Sequence, residues 1–248
     1  IGQTYQSGAD PWQLFALWAA LGLPLALAAR HDAVWSLWAI VALVGVGLWM
    51  SFRGGMVFMP DNTTTLAGWA MSVAIACALY GLHIWRGTGL WAFRIATLLT
   101  VHIITGSALA VSFLKDPSQI YLGVLALALI AGALRLIVPK ALGLLAGAVF
   151  GLDVLLIALL WKNLAGNSTD IGGFLGIGLL SAAIIGGSAA LLLKLAPAKA
   201  EGGIDTRRTW PVTLLSGFGA LIAALPLLIF LGMAFKDLFR SPFALMVF

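Results

Sequence analysis

The residue with the greatest chemical potential is Asp153, in the run Phe150-Gly151-Leu152-Asp153-Val154 midway along a long apolar stretch. A carboxylate at the centre of a bilayer costs about 2.5–3.5 kcal/mol on insertion scales, so it belongs against the bundle interior or water. His102 lies at a matching depth in another apolar stretch, with Thr97 and Thr105 on roughly the same half of that helix. A contact between Asp153 and His102 would form a proton or ion site. Alternatively, each bonds a backbone carbonyl or a buried water on its own, and the spacing leaves both arrangements open. Arg94 and Arg135 lie nearer the ends of their stretches, where a long apolar stem lets the guanidinium reach headgroups. His83 is a turn from the same surface, and His31 falls in a loop.

A second polar group precedes the first apolar stretch. Gln3, Tyr5, Gln6 and Asp10 sit in a segment that ends Asp10-Pro11-Trp12. Asp before Pro suits a helix start, with Pro in its first turn. Gln3, Tyr5 and Gln6 could bind a ligand or simply line the approach to that helix. A third feature is structural. Gly143, Gly147 and Gly151 recur every four residues, which places them on one helix face and lets another backbone approach closely. Gly172, Gly173, Gly176, Gly178, Gly186 and Gly187 suit the facing helix. The stripe serves packing within the chain or self-association.

The usual catalytic patterns are missing. There is no His-Glu-x-x-His, no Gly-x-Ser-x-Gly and no pair of carboxylates at one depth. The glycines lack the flanking strand and Gly-Lys-Ser/Thr of a phosphate loop. The lone cysteine, Cys77, excludes intrachain disulfides and cysteine-based metal sites. We therefore expect no catalytic residues, no metal and no cofactor.

The elements that must position these residues are helices. The chain is 62% hydrophobic and 9% charged, with a mean hydropathy of +1.06, whereas soluble domains are roughly a quarter charged. A bilayer core of ~30 Å needs about 20 helical residues to cross it. Apolar runs of about that length fall at 12–29, 33–52, 66–85, 90–113, 119–138, 141–161, 171–195 and 212–235. The predicted fold is all-α, a polytopic transmembrane bundle with eight spans. Residues 1–200 form a membrane domain, and 201–248 a linker with the eighth span. No internal repeat is visible, so the inverted halves of many transporters are not indicated. The chain opens on Ile1 and closes in the apolar stretch Pro242 to Phe248, so we expect it to be part of a longer protein.

Cations sort the two faces. Arg30, Arg86, Lys140, Lys194, Lys199, Arg207 and Arg208, with Arg94 and Arg135 nearby, outnumber Arg53, Lys115, Lys162, Lys236 and Arg240 on the other side. The positive-inside rule then places loops 30–32, 86–89, 139–140 and 194–211 in the cytoplasm. Trp12, Trp49, Trp69 and Trp161 mark outer ends, and Trp35, Trp85, Trp91 and Trp210 inner ones. The formal charge of +5 follows from topology. No basic cluster interleaved with aromatics points to nucleic acid.

The opening Ile1-Gly2-Gln3-Thr4-Tyr5-Gln6-Ser7-Gly8-Ala9-Asp10-Pro11-Trp12-Gln13-Leu14-Phe15, with Trp18, Pro24, Arg30 and Trp35, resembles a bacterial membrane family. That family is catalogued as domain of unknown function 2157, and it usually carries Thr where this chain has Ser7. The resemblance is specific over residues 1–38. Residues 210–233 look like the opening of a second membrane family, domain of unknown function 4401. Neither supplies catalytic or binding residues. The first implies a bacterial inner-membrane protein with further helices before Ile1. The expected partners are the bilayer itself and either a second copy or other membrane proteins at the glycine faces. The expected function is a structural or accessory membrane component, the alternative a transporter or channel centred on Asp153 and His102.

Overall fold

A computed structural model describes residues 10–29, 31–53, 61–86, 89–114, 118–138, 141–165 and 171–195. Its elements are all helices: α1 (Pro11–Ala29), α2 (Asp32–Arg53), α3 (Asn62–Arg86), α4 (Leu90–Leu114), α5 (Ser118–Ile137), α6 (Leu142–Ala165) and α7 (Ile171–Leu195). α1 to α6 are each long and apolar enough to cross a membrane, and α7 adds the shorter apolar stretch Gly176–Leu192. The expected all-α polytopic bundle is what the chain forms. Seven of the eight anticipated runs coincide with helices to within a few residues. The eighth, 212–235, lies outside the described residues.

The helix starts follow from local chemistry. Gln13 N–H donates to the Asp10 carbonyl at 3.0 Å, and the Trp12 indole donates to Asp10 Oδ2 at 3.2 Å. His31 precedes α2 and accepts the Ala33 N–H on Nδ1 at 3.2 Å. α3 begins four residues before the apolar run. There Asp61 Oδ1 accepts the Thr64 N–H at 3.3 Å and its carbonyl accepts the Thr65 N–H at 2.9 Å. An Asp in this position satisfies amides that the first turn leaves open. Hydropathy does not register that turn because its residues are polar.

The chain divides into two units, Ile1–Leu127 and Ala128–Phe248. In the first, α2 is central and packs on α1, α3 and α4, while α3 also packs on α4. α4 buries Ala92, Ala96, Ile104, Ala108 and Val111, a broad face recurring every three to four residues. α1 buries only Ala26 and exposes Leu14, Leu17, Trp18, Leu21 and Leu25. In water that surface would be a liability; in lipid it is the ordinary outside of a span. Close approach depends on two glycines. A Cβ at Gly45 would come within 3.2 Å of the Phe15 Cβ, and one at Gly68 would land on the Met50 side chain.

The direction of the helices is set at one end by Asp32. Its carboxylate accepts the Gly89 N–H on Oδ1 and the Trp91 N–H on Oδ2, the latter at 3.3 Å. Gly89 holds a φ of 89°, a conformation that favours glycine. α2 and α4 therefore start side by side and run parallel, with α3 returning between them. In the second unit α6 packs on α7. α5 spans the division and buries Gln119, Ile120, Leu127 and Leu134 along one stripe.

Candidate functional site

Polar side chains of the first unit lie along the contact of α3 with α4. The Trp69 indole of α3 donates to Ser107 Oγ of α4 at 2.7 Å. Ser107 in turn donates to the Ile103 carbonyl at 2.6 Å. One turn further along α3, the Ser72 carbonyl accepts the Thr100 hydroxyl at 3.1 Å. Thr97 and Thr105 donate to the carbonyls of Phe93 and Val101, each at 2.8 Å. Both threonines are buried, and their hydroxyls bond carbonyls of α4 itself.

A cleft of about 210 Å³ runs between α2 and α4 at the level of Ser107. Gly47, Met50 and Ser51 form one wall; His102, Gly106 and Ser107 form the other. Ser51 donates to the Gly47 carbonyl at 2.9 Å, which leaves its lone pairs as acceptors. Gly47 and Gly106 make the space: a Cβ at either would meet nothing within 4 Å. His102 is thus part of a partly open cleft in the first unit.

Asp153 belongs to the second unit. It is 5% exposed on α6, and Oδ1 accepts the Ser188 hydroxyl of α7 at 2.7 Å. α7 turns Ile177, Ser181, Ile184 and Ser188 away from its exposed side, which carries Leu179, Leu180, Ile185 and Leu191. The repeat of three to four residues explains why Ser188 faces α6. His102 and Asp153 therefore each have a local setting within their own unit.

The remaining candidates separate. Asp10 lies at the start of α1 with its carboxylate on Trp12, whereas Gln3, Tyr5 and Gln6 lie outside the described residues. In the glycine stripe Gly151 is buried, but a Cβ at Gly143 would meet nothing within 4 Å. Gly176, Gly178, Gly186 and Gly187 of α7 have the same open space. The guanidinium of Arg94 sits over the Trp91 ring at 4.9 Å. Arg86 and Arg53 sit over Trp85 and Trp49 at 5.8 and 5.4 Å. These pairs at helix ends suit interfacial anchors. Among the described residues no three His, Cys, Asp or Glu side chains come together as a metal-binding group.

Sequence reasoning did not single out Ser51, Ser107 or Ser188. A signal for the first two was present: Gly47 and Ser51 are four apart, as are His102 and Gly106, and Ile103 and Ser107. Such rows place small and polar residues on one face. They do not reveal which helices meet there.

Residues 1–35 match a family described as predicted membrane protein (DUF2157). The match ends well before the cleft and Asp153, and it does not support the likeness of residues 210–233 to the second family. No curated protein and no solved structure matches the chain.

Proposed function

We propose that this chain is a non-catalytic structural or accessory component of a bacterial inner membrane. Its loops 30–32, 86–89, 139–140 and 194–211 face the cytoplasm, and its glycine-bearing faces meet a second copy or other membrane proteins. One observation carries the reading. Three polar side-chain bonds within the spans join one helix to another, Trp69 to Ser107, Thr100 to Ser72 and Ser188 to Asp153. Groups used in this way stiffen a bundle, since in lipid the alternative to a partner is an unsatisfied polar group. A second reading, transport of ions or small solutes, draws on His102 lining the cleft and on Asp153 in the α6–α7 pair.

The test is current recorded from proteoliposomes on a solid-supported membrane, under pH jumps and a panel of ions and metabolites. The accessory reading expects no current from folded, inserted protein. A current abolished by Asp153→Asn overturns it in favour of transport.

A further inference from the structure

Gln119 is the second residue of α5 and is fully enclosed, with none of its surface exposed. Its neighbour Ile120 and, further along the same stripe, Leu127 are enclosed to the same degree, and their apolar side chains need no partner. A carboxamide does. Neither Nε2 nor Oε1 of Gln119 bonds another group of the protein. Exchanging the two atoms gives no relief, because both lack a partner. A buried amide without bonds forfeits those that bulk water gives it. Folded interiors pair nearly all such groups, with protein or with ordered water.

The chemistry of the group names the partner. Nε2 has two protons to give and Oε1 has lone pairs to receive, so the partner must accept and donate at once. A cation would meet Oε1 and be repelled by the amide protons; an anion would do the reverse. Each would leave one atom unpaired. Because no surface of Gln119 is exposed, the partner must also be small enough to be sealed in as the helices close. Water meets both demands, and one molecule can accept from Nε2 and donate to Oε1 of the same carboxamide. Supply is at hand. A span of 20 residues just crosses a bilayer core, so its second residue lies at the membrane boundary rather than at mid-depth. Buried waters recur where polar groups of the fold would otherwise go unsatisfied, and ordered water serves the same end in membrane helices.

We propose that Gln119 binds a buried water at the start of α5, one that accepts from Nε2 and donates to Oε1. Buried waters make about three bonds, so this one also ties the first turn of α5 to a group beyond Gln119. The site is independent of the accessory reading and of any role for Asp153 or His102.

The probe is water itself. The full chain, deuterated and carrying isotope-labelled glutamine nitrogens, is placed in phosphatidylcholine nanodiscs, and rotating-frame cross-relaxation from water to the side-chain amide protons is recorded. Among Gln3, Gln6, Gln13 and Gln119, the signal of Gln119 is assigned by its loss in Gln119→Leu and in Gln119→Met. Its amide protons should show cross-relaxation from a long-lived bound water, opposite in sign to chemical exchange. They should exchange with solvent roughly tenfold more slowly than those of the exposed Gln13. Gln119→Leu should lower the unfolding temperature, because the water loses its anchor and the first turn of α5 loses the tie. A Gln119 amide in the unaltered chain with no cross-relaxation from water would overturn the proposal. So would a higher unfolding temperature in Gln119→Leu, the response of an amide buried with no partner at all.

Discussion

The carboxylate of Asp32 accepts the Trp91 backbone N–H at 3.3 Å, so a side chain at the start of α2 caps the start of α4. A further bond from Gly89 N–H reaches the other carboxylate oxygen. Two helix N-termini thus share one acid, which also suits the positive end of each helix dipole. Through this contact α2 and α4 run parallel and can form a cleft along their length.

Removing that cap should cost about 1–2 kcal/mol, the upper range for a lost N-cap. Asp32→Ala should show this in unfolding from mixed micelles. Hydrogen exchange should rise at Gly89 and Trp91. Asp32→Asn, which keeps one acceptor oxygen, should lose less than half as much. Equal losses in the two variants would mean that charge rather than bonding geometry matters at this site.

The bond from Ser188 to Asp153 sets a second expectation. Interhelical hydrogen bonds in membranes average about 0.6 kcal/mol and reach ~1.7 kcal/mol. A bond of 2.7 Å to a residue only 5% exposed belongs toward the upper figure. Ser188→Ala and Asp153→Ala, with the double variant, should return a coupling near 1–1.7 kcal/mol. A coupling near zero would show that α6 and α7 hold together without this pair.

The two glycines Gly68 and Gly47 should respond oppositely to the same substitution. At Gly68 a Cβ would strike Met50, and overpacking of this kind costs ~1–3 kcal/mol. At Gly47 a Cβ meets nothing within 4 Å, so Gly47→Ala should be neutral or gain up to ~1 kcal/mol from helix propensity. Met50→Ala should recover much of the loss caused by Gly68→Ala. Thermal unfolding of the four variants reads all of this directly.

Asp61 supplies a pH dependence outside the membrane spans. The Thr63 hydroxyl first, and Thr64 next, hold its carboxyl below the ordinary 3.8. The folded value lies under the unfolded one, so between them the unfolded chain binds more protons and stability rises with pH. The contribution is complete above the ordinary carboxylate value and is lost as pH falls through the lowered one. Because Asp61 is exposed to solvent, the effect on global stability should be small. It should show instead as acid-induced fraying of the first turn of α3. Carboxyl NMR titration should find Asp61 below 3.8 and Thr63→Val bringing it back up. An Asp61 that titrates at the ordinary value in the unaltered chain would remove the cap from this account.

How much could be read in advance differs between helices and their meeting points. The spans 33–52, 90–113 and 171–195 coincide with α2, α4 and α7 to within a residue, because hydropathy over about 20 residues reports directly on crossing length. α3 began earlier than its apolar run, since Asp61 and Thr63 to Thr65 form a polar first turn. Asp153 and His102 stood out by type and depth, while Ser188 and Ser107 did not, because serine is unremarkable in an apolar helix until its neighbour is known.

The amino-acid sequence by itself determined that the chain spans a membrane as a bundle of helices. The reason is local: in lipid each backbone N–H and C=O must be satisfied within its own segment, so an apolar run of sufficient length becomes a helix wherever it lies. Only the tertiary structure decided which side chains meet. Ser188 reaches Asp153 across 35 residues, Trp69 reaches Ser107 across 38 and Trp91 reaches Asp32 across 59. Those pairings depend on which helices adjoin, in what direction and at what rotation. Each is set by packing at glycines such as Gly45 and Gly68 and by caps such as Asp32, and none is encoded in the periodicity of a single helix.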